Sequence, residues 1–350
     1  MFSDSRPQPL VECVPNFSEG RDSGAIRAVV GAAAGTPGVR VLHIDSSPDA
    51  HRTVFTYAGA PEACLEAGFR MIRTAAGHIN MQTHRGVHPR IGAVDVFPFV
   101  PLRNVTMAEC ADLARRLAER VGNELGIPAY LYGEAAQSPE RKSLSAIRTG
   151  GYEGLSDRMK NPDGAPDFGP AAFRPGFGAC AIGARGLLIA YNVNLADPDP
   201  GRSRRIAEAI RESGAAARDG AGGGERIPGR FAACQAIGWR IESRGKTQVS
   251  TNLTDYRITP PHAVYEECVQ LAAEAGTRVT GSEVVGLIPR EALLAAGRYY
   301  SGTNGAAATT QDVSDSELIR RAVAGLGLDD WTPFDPSRKI LEACLAGADF

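Results

Sequence analysis

The sequence predicts an α+β protein made of two ferredoxin-like βαββαβ sandwich subdomains, side by side, with a cleft between them. Short apolar runs alternate with segments whose apolar residues recur at helical spacing. Their order is β-α-β-β-α-β in residues 10–98, and the same order returns in residues 187–287. A chain of 350 residues is long enough for two domains, so we expect an N-terminal domain of residues 1–186 and a C-terminal domain of residues 187–350.

The first repeat has the clearest pattern. Pro61 suits the first turn of a helix, and Leu65, Phe69 and Ile72 then recur at intervals of four and three residues, which places them on one helical face. The other elements are shorter runs bounded by turn residues. We predict strands at 10–14, 39–45, 52–58 and 91–97 and a helix that runs from about residue 22 to residue 38.

The stretch between the two repeats begins with a helix capped by Thr106 and continues with a strand at residues 129–135. Residues 137–176 are rich in proline, glycine, aspartate and arginine and have no clear period. We therefore predict that they form a long functional loop region.

The second repeat opens with a strand at residues 187–195, in which Asn192 and Asn194 alternate with Tyr191 and Val193. One face of this strand is therefore predicted to carry amides and the other to be apolar. The same patterns predict a helix at 203–213, a surface loop at 214–224, strands at 232–242 and 247–253, a helix at 260–275, a strand at 277–287 and a helical tail at 289–345.

Composition narrows the possible functions. A net charge of −2 and an isoelectric point near 6.3 argue against a nucleic-acid-binding protein or a membrane-surface protein. Seven widely spaced cysteines without a C-x-x-C pair indicate buried thiols in a reducing compartment. The N-terminus has neither the basic nor the apolar region of a secretion signal, and we expect a soluble, cytoplasmic protein.

One glycine-rich motif is weak evidence for nucleotide binding. Residues 176–181, GFGACA, fit the loose dinucleotide fingerprint, and Asp197 follows about twenty residues later. However, no strand is predicted before the motif, and a strand rather than a helix follows it. We therefore do not expect a nucleotide site here.

Polar residues are concentrated in residues 84–95, which hold two histidines, two arginines and an aspartate. Gly86 and Pro89 disfavour a helix, so this stretch is predicted to be a loop that leads into a buried strand. Such a loop is a rigid support for a side chain that acts on a ligand.

Three interpretations of His84 and His88 compete. A zinc site of the metalloprotease type requires a glutamate after the first histidine on a helix, whereas an arginine and a glycine follow here. Either histidine could instead bond a backbone group of the loop, and for His84 we favour this structural role. For His88 we favour catalysis, because Arg90 is two residues away and Asp95 lies across a strand short enough for both to line one cleft.

Several sequence blocks resemble the formiminotransferase domain family, to which glutamate formimidoyltransferase belongs. The likeness runs from about residue 10 to residue 345, and the longer blocks are specific. The family also includes an enzyme fused to a cyclodeaminase, and we expect this chain to lack that second enzyme. The blocks are VECVPNFSEG at 11–20, HRTVFTYAG at 51–59, HPRIGAVDVFPFVP at 88–101, LYGEAA at 131–136, PDFGP at 166–170, GAR at 183–185, LIAYNVNL at 188–195 and QVSTNLTD at 248–255.

The resemblance implies a folate enzyme that transfers a formimidoyl group between N-formimidoyl-L-glutamate and tetrahydrofolate, as in histidine degradation. It places the family's catalytic histidine at His88 and a cleft residue at Asp45. It also implies tetrahydrofolate as a co-substrate, no metal, and a homodimer formed through the first subdomain. The N-terminal subdomain would carry the catalytic loop, and the C-terminal subdomain would complete a folate-binding channel.

The sequence departs from the family pattern at a few positions. Val87 precedes His88 where relatives have glutamate, and Gly186, Ala232 and Ala233 stand where some relatives carry basic residues. These differences bear on substrate specificity more than on the class of reaction.

The chemistry that the resemblance implies needs acid–base catalysis. An amine that attacks the formimidoyl carbon forms a cationic tetrahedral species, and the carboxylates of Asp45 and Asp95 suit that charge. His88, titrating near neutral pH, would move the proton between the two nitrogens. We expect Asp95 to fix the tautomer of His88 and to favour the imidazolium. Alternatively, Asp95 only bonds the backbone of a turn.

Substrate binding is assigned to arginines and amides. Arg52 and Arg90 would bind the glutamate carboxylates of either substrate through paired hydrogen bonds. Asn192 and Asn194 would meet the donors and acceptors of the pterin, or alternatively form an internal amide ladder within the sheet. Two other functions stay open: formimidoyl or formyl transfer to or from another amine, such as an amino acid or a natural-product intermediate, and folate binding without catalysis.

Overall fold

The computed structural model describes residues 8–216, 226–302 and 313–347. The chain forms two compact units, one of residues up to Gly186 and one of residues Leu187–Gly347. Each unit has its own sheet and its own apolar core, which confirms the predicted α+β class with two subdomains.

The N-terminal unit contains all four strands and both helices predicted for the first repeat. Its strands are β1 Leu10–Cys13, β2 Asn16–Phe17, β3 Val39–Ser47, β4 Arg52–Gly59, β5 Val94–Arg103, β6 Ala129–Gly133 and β7 Cys180–Ala184. Its helices are α1 Ser23–Ala34, α2 Pro61–His78, α3 Met107–Leu125, α4 Leu144–Ile147 and α5 Gly151–Arg158, with 3₁₀ turns at Pro139–Arg141 and Pro162–Gly164.

The sheet of this unit has six strand positions. They are occupied in order by β3, by β4, by β1 and β2 together, by β5, by β7 and by β6. β1 and β2 follow each other between the same two neighbours, and both pair antiparallel with β4 and with β5. The βαββαβ part therefore has the antiparallel order of a ferredoxin-like sandwich. β5, β7 and β6 pair in parallel. The main apolar core lies between this sheet and the helices α1, α2 and α3.

Local sequence sets the starts of two of these helices. Asp22 accepts hydrogen bonds from the backbone N–H groups of Gly24 and Ala25 at the start of α1. Thr106 and Glu109 form a capping box at the start of α3. Each cap satisfies backbone donors that have no partner within the helix, so both helices begin where the sequence predicts.

One prediction for the N-terminal unit is wrong, and one strand of this unit is not predicted. Residues 137–176, predicted to be a loop region, contain α4, α5 and the two 3₁₀ turns. The strand β7 is not predicted, and it begins inside the glycine-rich motif at residues 176–181. Its sequence, CAIGA, is fully buried but consists mainly of small residues with weak strand propensity, so its strand conformation depends on its two neighbours, β5 and β6.

The C-terminal unit repeats the ferredoxin-like order in a second sheet that is antiparallel throughout. Its strands lie in the order β11 (Cys234–Ile241), β12 (Lys246–Leu253), β8 (Ile189–Leu195) and β13 (Val279–Val285). Residues 217–225 and 303–312, on which parts of the predicted surface loop and helical tail fall, lie outside the described residues. The strands are β8 Ile189–Leu195, β9 Ala215–Ala216, β10 Arg226–Ile227, β11 Cys234–Ile241, β12 Lys246–Leu253 and β13 Val279–Val285. The helices are α6 Pro200–Ile210, α7 Pro261–Glu274, α8 Arg290–Tyr300, α9 Asp315–Leu326, α10 Pro336–Lys339 and α11 Leu341–Ala346, with a 3₁₀ turn at Glu242–Arg244.

The alternation predicted for β8 is confirmed. Tyr191, Val193 and Leu195 are fully buried in the core of this unit. Asn192 and Asn194 lie on the opposite face of the strand, because successive side chains of a strand point to opposite sides.

Two further features concern the chain as a whole. The seven cysteines are free, and six of them are buried, as the composition predicts. Among the described residues, no helix has both the length and the apolar composition needed to cross a bilayer.

Candidate active site

The predicted catalytic loop lies between α2 and β5 and packs against the turn that joins β3 to β4. Val87 donates its backbone N–H to the carbonyl oxygen of Asp49 at 3.4 Å. Gly86 lies closer still, since a Cβ there would be 2.2 Å from the carbonyl oxygen of Ala50. Only glycine fits at this position, so the backbone of the turn supports the segment that leads to His88.

His84 has the structural role expected from the sequence. Its Nε2 donates to the carbonyl oxygen of His51 at 2.8 Å, and its Nδ1 accepts from Nε of Arg90 at 3.1 Å. These partners assign the single proton to Nε2, so the ring is neutral. Burial lowers the pKa of His84 to about 4, in agreement with a neutral ring.

His51 makes contacts that the sequence does not predict. Its ring stacks on that of His84. Its Nδ1 is 2.9 Å from the carbonyl oxygen of Arg85, and its Nε2 is 3.1 Å from Oε1 of Glu19. Although burial opposes it, the backbone N–H groups of residues 20–22 lower the pKa of Glu19, so this carboxylate is an acceptor. Both His51 nitrogens therefore face an oxygen acceptor.

Asp95 is fully buried in β5 and binds two arginines. Its Oδ2 accepts from Nη1 of Arg52 at 2.7 Å and from Nη2 of Arg148 at 2.5 Å. Its Oδ1 accepts from the backbone N–H of Ile91 at 2.9 Å. Burial alone would raise the pKa of Asp95, but the two guanidinium groups lower it, so the carboxylate stays ionised. We name Arg52, Asp95 and Arg148 the arginine–aspartate cluster.

His88 is half-buried and lies within the electrostatic field of this cluster. Its Nδ1 donates to the carbonyl oxygen of Pro89 at 2.6 Å, so a neutral ring has its basic lone pair on Nε2. Burial lowers the pKa of His88 well below its ordinary value, and the charges of Arg52 and Arg148 lower it further. Burial, together with the two arginines, outweighs the effect of Asp95, so the surroundings favour a neutral ring rather than the expected imidazolium.

Asp45 lies in β3, where it is opposite Val54 of β4 in the sheet register. Its carboxylate is partly exposed and lies 3.7 Å from Nε2 of His43. The charge of Asp95 is taken up by two arginines, so this carboxylate is poorly placed to stabilise a cationic species by its charge.

The two arginines predicted to bind carboxylates differ in their partners. Arg52 donates Nη1 to Asp95 and Nε to Oδ1 of Asn16 at 3.1 Å. Arg90 forms a bidentate pair with Glu153 of α5, with N–O distances of 2.8 and 2.7 Å. The protein itself therefore neutralises Arg90 one to one, whereas Arg52 shares a single carboxylate with a second arginine.

Asn192 and Asn194 belong to a network of polar side chains on the second sheet. Asn192 donates Nδ2 to Oε1 of Glu283 at 3.0 Å, and Asn194 donates Nδ2 to Oδ2 of Asp330 at 3.0 Å. Gln248 of β12 donates Nε2 to the side-chain oxygen of Asn194 at 2.8 Å. The internal amide ladder that the sequence left open is thus formed, and pterin recognition by these amides stays a prediction.

Sequence reasoning missed three charged residues of this site. Arg148 and Glu153 lie in the segment 137–176, whose predicted functional character is the only signal that pointed to them. Their contacts with Asp95 and Arg90 join positions 53 and 63 residues apart in the chain, which no local pattern encodes. The third residue, Glu19, contacts His51 from the turn before α1.

Comparison with known proteins identifies the family. A model described as the formiminotransferase domain, N-terminal subdomain, matches residues 10–185, and a model described as the formiminotransferase domain matches residues 190–346. The chain belongs to the formiminotransferase family. This confirms the resemblance seen in the sequence blocks.

Individual relatives carry two kinds of name. The chain is 39% identical over 291 residues to a glutamate formimidoyltransferase of Streptococcus pyogenes serotype M1, which covers 83% of this chain and 93% of the relative. It is 43% identical over 298 residues to one of Thermoplasma acidophilum, which covers 85% and 93%. It is 44% identical over 333 residues to the formimidoyltransferase-cyclodeaminase of Rattus norvegicus, which covers 95% of this chain. The chain spans 59% of the length of that fused relative.

Within residues 8–216, 226–302 and 313–347, no three or more histidine, cysteine, aspartate or glutamate side chains are grouped so that they could hold a metal ion.

Proposed function

We propose that the protein transfers a formimidoyl group between N-formimidoyl-L-glutamate and tetrahydrofolate, as a step of histidine degradation, with His88 as the general acid and base. Two relatives named glutamate formimidoyltransferase, each matched over 93% of its length, support the reaction. The observation that carries the assignment is the neutral ring of His88, whose Nδ1 proton is held by the carbonyl oxygen of Pro89 in the field of two arginines.

In the direction of folate formimidoylation, the amine nitrogen of tetrahydrofolate attacks the formimidoyl carbon and forms a carbon–nitrogen bond. Nε2 of His88 accepts the proton that this amine loses. The resulting imidazolium returns the proton to the glutamate nitrogen, and the bond between that nitrogen and the formimidoyl carbon breaks. The products are L-glutamate and formimidoyl-tetrahydrofolate, and the ring of His88 is neutral again.

The other predicted site residues assist this transfer. The carboxylate of Asp45 stabilises the cationic tetrahedral species, and Asp95 orders the two arginines in whose field His88 lies. Arg52 binds a substrate carboxylate. Arg90 can do so only if Glu153 releases its guanidinium group. Asn192 and Asn194 meet the pterin as members of the amide network.

The proposal extends to the form of the enzyme. We infer a cytoplasmic homodimer that uses tetrahydrofolate as a co-substrate and needs no metal. Residues 1–186 carry the catalytic loop, and residues 187–350 complete the folate-binding surface. Light scattering of the purified chain measures the dimer directly, and activity after exhaustive chelation tests the independence from metal.

A spectroscopic assay tests the proposed reaction. Purified protein is mixed with N-formimidoyl-L-glutamate and tetrahydrofolate, and the absorbance of the modified folate is followed together with the release of L-glutamate. We expect one glutamate for each folate modified, and we expect the His88→Asn variant to be inactive. Tetrahydrofolate binding without turnover of any formimidoyl donor would instead support a non-catalytic folate-binding protein.

The same assay separates the remaining alternative, in which another amine exchanges the formimidoyl or formyl group. Formimidoyl-tetrahydrofolate is offered to a panel of amines that includes L-glutamate, other amino acids and unrelated primary amines. We expect L-glutamate to be the fastest acceptor. A faster acceptor of another class would keep the assignment of His88 and change the substrate.

A further inference from the structure

The arginine–aspartate cluster carries an unbalanced positive charge. Asp95 is fully buried, and the side chains of Arg52 and Arg148 are only 7% and 13% exposed. Two guanidinium groups and one carboxylate give a net charge of +1. Buried charges are normally paired, because removing an ion from water is costly. The neighbouring pair of Arg90 and Glu153 is balanced, so it contributes no compensating negative charge.

The two arginines also have unused hydrogen-bond donors. Arg148 uses Nε and Nη2 to bind Asp95, and Arg52 uses Nε and Nη1 to bind Asn16 and Asp95. Within the described residues, Nη1 of Arg148 and Nη2 of Arg52 make no hydrogen bond. Neither of these two nitrogens is fully buried. Both are therefore accessible to solvent or to a ligand.

We propose that Arg52 and Arg148 together bind the α-carboxylate of the amino-acid substrate, an inference whose choice of ligand rests on the proposed function. A carboxylate brings the cluster to a net charge of zero and accepts hydrogen bonds from both unused nitrogens. A monoanion balances the excess charge, whereas a dianion such as phosphate would overcompensate it. Arg148 is then a specificity-determining residue that no local sequence pattern indicated.

The position of the cluster selects the α-carboxylate rather than the side-chain carboxylate. His88 must reach the nitrogen of the glutamate moiety, and only Cα separates that nitrogen from the α-carboxylate. Asp95 accepts a hydrogen bond from the backbone N–H of Ile91 at 2.9 Å, three residues after His88, so the cluster lies beside the segment that carries the ring and one substrate end can contact both. The side-chain carboxylate, two methylene groups further along, points to another part of the site.

Binding at this subsite changes the basicity of His88. In the free protein burial lowers the pKa of His88, and the excess positive charge of the cluster lowers it further. A bound carboxylate cancels this charge and makes the lone pair of Nε2 a stronger proton acceptor. The general base therefore gains strength when the amino-acid substrate is in place.

Steady-state kinetics of Arg148→Gln test the subsite. We expect the KM for N-formimidoyl-L-glutamate to rise about 10- to 100-fold, the effect of losing a charge-assisted hydrogen bond, while the KM for tetrahydrofolate stays within about threefold. Arg148→Lys keeps the positive charge but lacks the planar pair of donors. Its KM for N-formimidoyl-L-glutamate should lie between those of the wild type and Arg148→Gln. Arg116→Gln removes one positive charge from an exposed ion pair between Arg116 of α3 and Glu62 of α2, and it should behave like the wild type. An unchanged KM for the amino-acid substrate in Arg148→Gln would overturn the proposal.

A binding experiment tests the subsite without turnover. The pKa of His88 is measured by NMR of the imidazole nitrogens in the full-length wild type, alone and with L-glutamate or γ-aminobutyrate, which lacks the α-carboxylate. We expect L-glutamate to raise the pKa of His88 and γ-aminobutyrate to leave it unchanged. Equal effects of the two ligands, or the same rise in Arg148→Gln as in the wild type, would overturn the proposal. A rise caused only by L-glutamate in a protein that transfers no formimidoyl group would support the subsite and contradict the proposed function.

Discussion

The rings of His51 and His84 are stacked, with their centroids 4.3 Å apart and their planes inclined by 10°. One ring belongs to the turn between β3 and β4, and the other belongs to the loop that carries His88. His84 also accepts a hydrogen bond from Arg90. His51 contacts Glu19, which lies in the turn before α1. The stack therefore joins three separate segments of the chain and holds the start of the catalytic loop in one position.

Replacing His88 with asparagine should abolish transfer while the fold and folate binding persist. Asparagine has a similar volume and retains a hydrogen bond, but it cannot accept and return a proton at neutral pH. We expect kcat to fall by about 10²–10⁴, the usual contribution of general acid–base catalysis. His84→Asn is the matched control and should cost far less activity, because its ring is neutral, buried and bonded to the backbone. Activity within a few-fold of the wild type in His88→Asn, with loss in His84→Asn, would show that the wrong histidine has been assigned.

The stability of the protein should depend on pH through His84. Its pKa in the folded protein is about 4, whereas an exposed histidine titrates at about 6.5. The unfolded chain binds more protons between these values, so the stability contributed by neutral His84 is present above pH 6.5 and is lost as the pH falls towards 4. The full difference is at most about 3.5 kcal/mol, at about 1.4 kcal/mol for each pH unit.

Urea unfolding of the wild type and of His84→Gln at pH 4.5 and 7 measures this contribution. We expect the wild type to lose more stability than the variant between the two pH values. Parallel losses in both proteins would mean that His84 does not titrate in this range.

Asp95→Asn should destabilise the N-terminal unit strongly. It removes the only carboxylate of the cluster and leaves two buried guanidinium groups facing each other, at a cost of about 3–5 kcal/mol. The double variant Asp95→Asn/Arg148→Gln contains one buried cation instead of two and should recover part of this stability. Urea denaturation of the single and double variants measures the coupling, and strictly additive losses would contradict it.

Gly86→Ala should reduce activity because the new Cβ would lie 2.2 Å from the carbonyl oxygen of Ala50. The loop must move away from the β3–β4 turn, and His88 moves with it. Gly77→Ala is a matched control on α2, where a Cβ meets nothing within 4 Å, and it should stabilise the protein by up to about 1 kcal/mol. Circular dichroism and kcat of both variants measure these effects, and full activity in Gly86→Ala would show that the loop position is not critical.

A long polyglutamate tail on the folate should be bound only slightly more tightly than a single glutamate. Gly186, Ala232 and Ala233 stand where some relatives of the family carry positive charge, and each missing exposed contact is worth about 0.2–1 kcal/mol. Titration of folates with one and with five glutamates measures the difference. A large gain in affinity that disappears at high salt would contradict this expectation.

Much of the fold follows from local sequence. Helical spacing after Pro61 and the capping box at Thr106 predict α2 and α3, and the alternation around Asn192 predicts the two faces of β8. These features depend on residues close together in the chain. The ferredoxin-like order then follows from the order of the elements, since few topologies fit it.

The electrostatics of the candidate site could not be predicted in the same way. The sequence points to His88 and Asp95 because they lie on one short stretch. It gives no sign that Arg148 approaches Asp95, or that burial together with two guanidinium groups lowers the pKa of His88. The paired state of Arg90 likewise depends on Glu153, which the fold brings close and the sequence does not.

Every strand pair in the described residues joins two strands from the same side of the junction between residues 186 and 187. A polypeptide that ends at Gly186 would therefore still contain all the strands of its sheet, and one that starts at Leu187 would contain all of its own. Breaking the chain at this junction opens no backbone ladder. Each half therefore keeps its complete sheet when it is produced as a separate polypeptide, so the two halves can be tested one at a time for independent folding.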